Sequence, residues 1–200
     1  MPRIVALGDS TTAGTPGFLS PVESPPDGSG DIESQYAWWL MRLHSEWEVL
    51  NRGVNRERTD QIAARFHRDV LGAQPDLVII IGGVNDIYDG YGAAHAISHL
   101  GSMYERARAA GILVVAGTIL PFNSATPEHN AQMREVNDWI FNRRAEAPAE
   151  FFVADTRAAV ARPGDPDRLA STPDGLHPDA AGYRRMAEAL APACAVALRP

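Results

Sequence analysis

The sequence predicts a three-layer α/β fold built on a parallel sheet. Leu77 to Ile81 is a continuous apolar run of the kind found in a central parallel strand covered on both faces. Ile4 to Leu7 and Ile112 to Ala116 are further short apolar runs. Between such runs lie longer segments whose apolar residues recur at helical spacing.

In order along the chain, Ile4 to Leu7 reads as a short buried strand that stops at Gly8. Residues 15–32, rich in Pro, Gly and Ser, read as a loop. Asp31 offers an N-cap to a helix carrying Tyr36, Leu40, Leu43 and Trp47. Val49-Leu50 is a weak second strand, and Thr59 caps a helix with Ile62, Phe66 and Val70. Strand three is Leu77 to Ile81, and a helix over about 93–110 ends at Gly111 as its C′ residue. Ile112 to Ala116 is strand four, Pro121 to His129 a loop, and about 130–145 a helix. Phe151 to Ala154 is strand five, 162–177 a long loop, and the last helix begins near Pro178, a good first helical residue.

The chain of 200 residues suits one domain, residues 1–200, with a core large enough to need no disulfide or metal staple. The single cysteine, Cys194, excludes an intramolecular disulfide and reads as a buried helix residue. A net charge of −7 argues against nucleic acid or an anionic membrane as partner. No signal peptide and no membrane span is legible, so a cytoplasmic location is expected.

Open parallel sheets bind ligands beyond the carboxyl ends of their strands. Ser10, Gly53 and Asn85 each fall just past a strand and should meet on one rim. Ser10, in Gly8-Asp9-Ser10, is either a nucleophile on a tight turn or a helix N-cap. In Asp174-Gly175-Leu176-His177-Pro178, His177 suits a general base and Asp174 can reach back to fix its tautomer. The plain alternative is an Asp-Gly turn followed by a helix-entry His. Gly82-Gly83-Val84-Asn85-Asp86 lets the backbone approach a ligand closely, and the Asn85 amide can donate to a developing oxyanion. In Asn51-Arg52-Gly53-Val54, the Gly53 N–H is a further candidate donor.

Taken in this order, the four blocks resemble the pattern of the SGNH, or GDSL-type, hydrolase family from Gly8 to the helix after His177. The resemblance implies a flavodoxin-like α/β/α fold with five parallel strands in the order 2-1-3-4-5. It implies Ser10 as nucleophile, His177 as base, Asp174 as its orienter, and an oxyanion hole of Ser10 N–H, Gly53 N–H and the Asn85 side chain. No cofactor and no metal is expected. Relatives often carry a Ser-Gly pair shortly after the block-two glycine, where this chain has Asn55 and Arg56. Thr11 stands where an aliphatic residue is more usual.

For Asp9 and Asp86 the resemblance implies turn-stabilising hydrogen bonds. His44, His67, His95, His99 and His129 show no metal-ligand spacing with acidic or cysteine partners and read as surface residues; His95 and His99 share a helix face. Loop 15–32, Ile87, Tyr88, Tyr91 and Pro121 to Asn130 are expected around the same rim. Their mixed polarity suggests a small-molecule ester with a short acyl group, acetyl above all. A thioesterase or lysophospholipase, an acyltransferase using the same triad, and a non-catalytic flavodoxin-like binding module are the alternatives.

Overall fold

The computed structural model describes residues 1–146 and 149–199. Five parallel strands form the main sheet: β1 (Arg3–Gly8), β2 (Glu48–Gly53), β3 (Leu77–Ile81), β4 (Leu113–Gly117) and β5 (Phe151–Ala154). Their spatial order is 2-1-3-4-5, as the resemblance implied. The continuous apolar runs arise because both faces of the sheet are covered. Val5, Leu7, Val78 and Ile80 face one core with Ile62, Phe66, Leu100, Met103, Val136 and Ile140. Ile4, Ala6, Leu77, Ile79 and Ile81 face the other, with Tyr36, Leu40, Tyr183, Met186 and Leu190. The helices Thr59–Ala64, Ala93–Ala109 and Pro127–Glu146 therefore cover one face, and Tyr36–Leu43 and Ala180–Ala197 the other. Side chains alternate along a strand, so in the central strand β3 each residue meets a helix layer and an apolar one is favoured at each position, whereas the edge strand β2 keeps Glu48 and Arg52 half-exposed.

Several boundaries differ from the sequence reading. Asp31 caps only the short 3-10 turn Ile32–Ser34, accepting from Glu33 N–H at 3.1 Å. The following helix ends at Leu43, so Trp47 lies beyond it, buried and stacked on the His44 ring at a centroid distance of 3.8 Å. Thr59 is the first helical residue rather than the cap, and its side chain turns to Asp86. That helix breaks at Arg65 and resumes as Phe66–Asp69. Its neighbour on the same face starts at Pro127, three residues early, where Thr126 Oγ1 accepts from His129 N–H at 3.2 Å. Residues 162–177 are not all loop, because Asp165–Leu169 pairs antiparallel with Ala161–Arg162. Asp179 accepts from Gly182 N–H at 2.7 Å and moves the start of the last helix to Ala180.

Loop 15–32 closes on itself where Phe18–Leu19 pairs with Ser29–Gly30. It is also tied to the end of β2: Ser20 Oγ donates to Gly53 O at 2.6 Å, and Asn55 N–H to Glu23 Oε1 at 2.9 Å. Among the described residues, no helix is long and apolar enough to cross a membrane.

Candidate active site

In-register pairing sets Gly8, the last residue of β1, beside both Gly53 and Ile81, so three strand ends lie level at one rim. Gly8 has to be glycine, because a Cβ there would collide with Ile81 O and the Thr12 hydroxyl. The next residue, Asp9, is the N-cap of the one-turn helix Ser10–Ala13; its Oδ1 accepts from Thr11 N–H at 2.9 Å. Ser10 is therefore the first helical residue, and the N-cap reading falls to its neighbour.

His177 approaches from the opposite side of the rim on the loop before the last helix. Asp174 shapes that loop. Its Oδ1 accepts from Leu176 N–H at 2.9 Å and from His177 N–H at 2.8 Å, and its Oδ2 lies 2.7 Å from His177 Nδ1. Gly175 turns the chain at φ 80°, and its carbonyl accepts from Asn123 N–H at 2.7 Å, which ties this loop to the one after β4. His177 Nε2 lies 2.8 Å from Ser10 Oγ. Pairing with Asp174 selects the tautomer with its proton on Nδ1, which leaves Nε2 to accept from the serine. Ser10 and His177 are nearly buried, whereas the Asp174 carboxylate is partly exposed. Burial pushes the Asp174 carboxyl up, but the hydrogen bonds from the His177 ring and from the His177 and Leu176 amides outweigh it, and its pKa lies below the ordinary value.

Asn85 sits in the first turn of the Val84–Tyr88 helix, just past β3. Its Nδ2 donates to Glu57 O at 2.9 Å, which orients the amide, and the residue lines the same cleft as Ser10 and His177. The Gly53 N–H donates to Asn51 Oδ1 at 2.9 Å, and the residue is buried directly against the Ala13 backbone. The neighbouring Arg56 does line the cleft, with φ 63°, the left-handed region that favours glycine.

The cleft encloses about 290 Å³, and Thr15, Asn55, Tyr88 and Leu176 complete its walls. A second hollow of about 370 Å³ shares Tyr88 and Leu176 with it and is walled by Asn123 and Ser124. Ile87 and Phe122 belong to the core instead of the rim, and Tyr91 lies under the Arg58 guanidinium, 4.5 Å from ring centroid to Cζ.

Two groups behind the cleft carried no signal in sequence spacing. Arg65 donates to Gly8 O and Arg52 O, both at 2.8 Å, to Glu57 at 2.6 Å and to Asp69 at 2.7 Å, which locks the ends of β1 and β2 together. His95, expected at the surface, is largely covered and has its Nδ1 2.7 Å from Asp86 Oδ1. Acidic partners thus exist for it after all, from distant parts of the chain: ligand atoms of Asp60, Asp86 and His95 all lie within 4.8 Å of one another. They are already engaged, however, Asp86 with Thr59 and His95, and Asp60 with Arg58 at 3.1 Å.

Asp9 has a different electrostatic character. Burial pushes its carboxyl up to about 7, the Thr11 N–H opposing the shift and the nearby Asp86 charge adding to it.

An open parallel sheet with a Ser-His-Asp array at its carboxyl rim defines a class of hydrolase, and comparison with known proteins narrows it. The family model of the GDSL-like lipase/acylhydrolase family matches residues 6–185. The chain belongs to this family and is a hydrolase of carboxylic ester bonds. Among solved structures, a protein described as lipolytic, of the G-D-S-L family from Desulfitobacterium hafniense, is similar with a TM-score of 0.79 at 23% identity, over 96% of this chain and 99% of that one. A GDSL-like lipase from Bacteroides thetaiotaomicron gives 0.72 at 22% identity, over 98% and 89%. A catalytic mutant of an acetylxylan esterase from Geobacillus stearothermophilus gives 0.72 at 20% identity, over 96% and 93%. At such identities the likeness is one of fold. No curated protein matches the sequence.

Proposed function

We propose that the protein hydrolyses short-chain acyl esters, acetyl esters above all, through an acyl-enzyme on Ser10. The observation that carries this is the hydrogen-bonded line Asp174–His177–Ser10, with contacts of 2.7 and 2.8 Å. His177 Nε2 takes the Ser10 proton as Oγ attacks the ester carbonyl, and Asp174 stabilises the imidazolium that forms. The imidazolium then protonates the leaving alcohol. In the second half, His177 takes a proton from water, the hydroxide attacks the acyl-enzyme, and the acid leaves with Ser10 restored. The negative charge on the carbonyl oxygen at each tetrahedral stage is met by Ser10 N–H and the second N–H of the Asn85 amide. Each proton moves between groups of the chain, the substrate and water, so neither half calls for a cofactor.

The short acyl preference rests on the cleft. Its volume of about 290 Å³ must hold the acyl group together with the reacting centre, and Asn55, Arg56 and Asp89 make its walls polar. The alcohol then extends past Tyr88 into the hollow walled by Asn123 and Ser124, which suits a sugar or another polar alcohol. The acetylxylan esterase of the same fold is a precedent for that chemistry. Hydrolysis of p-nitrophenyl esters from acetate to palmitate, with Ser10→Ala as control, tests the reading. Turnover greatest at acetate or butyrate and absent from the variant supports it. Preference for long chains overturns the acyl assignment, and activity that survives in Ser10→Ala overturns the mechanism.

A further inference from the structure

We propose that His95 is a positioning residue for the reaction, acting through Asp86 on the Asn85 amide. The inference rests on the proposed role of Asn85 in holding the oxyanion. Asp86 is completely buried, yet it is a carboxylate with three hydrogen-bond partners: Thr59 N–H at 3.0 Å, Thr59 Oγ1 at 2.5 Å and His95 Nδ1 at 2.7 Å. The first two contacts close a ring. Asn85 is bonded covalently to Asp86, Asp86 holds Thr59, two residues of backbone lead back to Glu57, and Glu57 O accepts from Asn85 Nδ2 at 2.9 Å. The Asp86–Thr59 contact thereby fixes where Glu57 O, the acceptor that orients the amide, stands.

His95 determines how firmly that contact holds. It stands outside the ring, on the long helix Ala93–Ala109, and supplies Asp86 with its third partner. Tyr91 and His99 hold its ring from either side at centroid distances of 5.0 and 4.6 Å. Without it, the buried Asp86 Oδ1 keeps only the Thr59 hydroxyl, and a buried carboxylate that loses a donor recovers by drawing in water or by shifting toward another donor. Either adjustment moves Thr59, and with it Glu57 O. Oxyanion donors act only within a few tenths of an ångström of their target, so the displacement reaches kcat while substrate binding is preserved.

The test is a double-mutant cycle with p-nitrophenyl acetate, using His95→Ala, His95→Asn, Asn85→Ala and the His95→Ala/Asn85→Ala pair, each with its thermal midpoint recorded. His95→Ala should lower kcat by about tenfold to a hundredfold at unchanged KM. His95→Asn, whose amide can donate to Asp86, should recover most of the loss. In the Asn85→Ala background, removing His95 should change kcat by less than about twofold, since the group it positions is gone. An unchanged kcat in His95→Ala, or an equal loss in both backgrounds, overturns the positioning role while Asn85→Ala alone still reports on the oxyanion hole. A lowered thermal midpoint with kcat intact also overturns it. Asn85→Ala without loss of kcat overturns both readings.

Discussion

Replacing Asp9 by asparagine removes a carboxylic acid from one of the most enclosed positions beside Ser10 while keeping its size and its acceptor for Thr11 N–H. The carboxyl is raised from 3.8, the value for the unfolded chain, to about 7 in the folded one, chiefly by burial. A group raised in this way favours folding fully below its unfolded pKa, where both states carry the proton. The benefit is lost as pH climbs, because the unfolded chain ionises freely from about 4 while the folded protein must bury a charge or hold a proton until about 7. The shift of roughly three units corresponds to about 4 kcal/mol. An uncharged amide at this position carries no such cost. Urea unfolding of the parent and of Asp9→Asn should give similar stabilities near pH 4. The variant should then gain steadily on the parent, reaching an advantage of about 4 kcal/mol at pH 8. A difference that stays flat from pH 4 to 8 would refute the argument, because it would mean that Asp9 titrates alike in both states.

Other substitutions probe the remaining geometry. Asn85→Ala should lower kcat by roughly 10² to 10³ with p-nitrophenyl acetate, as the loss of one oxyanion donor does elsewhere. Gly53→Ala should destabilise the fold by more than about 3 kcal/mol in urea unfolding, since its Cβ would sit on the Ala13 backbone nitrogen. A stable Gly53→Ala protein with impaired kcat would instead support Gly53 as an oxyanion donor. Asn51→Ala, which leaves Gly53 N–H and Ala13 O without their partner, should cost about 1–3 kcal/mol by the same assay. Arg65→Gln strands the Glu57 carboxylate, leaves Asp69 with Arg68 as its remaining partner, and should cost about 3 kcal/mol, visible as a lowered thermal midpoint.

The strands were legible because burial on both faces writes itself as unbroken apolar runs, as in Leu77 to Ile81 and Phe151 to Ala154. The start of the long helix at Ala93 was legible too, but several other helix starts were not, because the winning cap depends on which side chain reaches a free amide. Asp179 outcompeted the Pro178 signal, and Thr59 was drawn off its expected role by Asp86 from a distant segment. Ser10, Asp174, His177 and Asn85 stand at strand ends or on short loops, so their chemistry shows in local spacing. One contact invisible at that level is that of the Asn51 side chain, which folds back to take the N–H of Gly53 two residues later. Arg65 reaches Gly8 O, 57 residues away, and His95 reaches Asp86 on the preceding helix, and no period or motif links these partners. Loop 15–32, read only as a candidate wall or lid, is braced against the end of β2 by Ser20 and Glu23.

The central claim is that Ser10 is a nucleophile activated by His177. Labelling the folded protein with a fluorophosphonate and locating the adduct by peptide mass spectrometry tests it most directly. The account predicts stoichiometric modification at Ser10, its loss in denatured protein and a rate reduced by orders of magnitude in His177→Ala. Labelling at another residue, or at Ser10 with the same rate in His177→Ala, would contradict it.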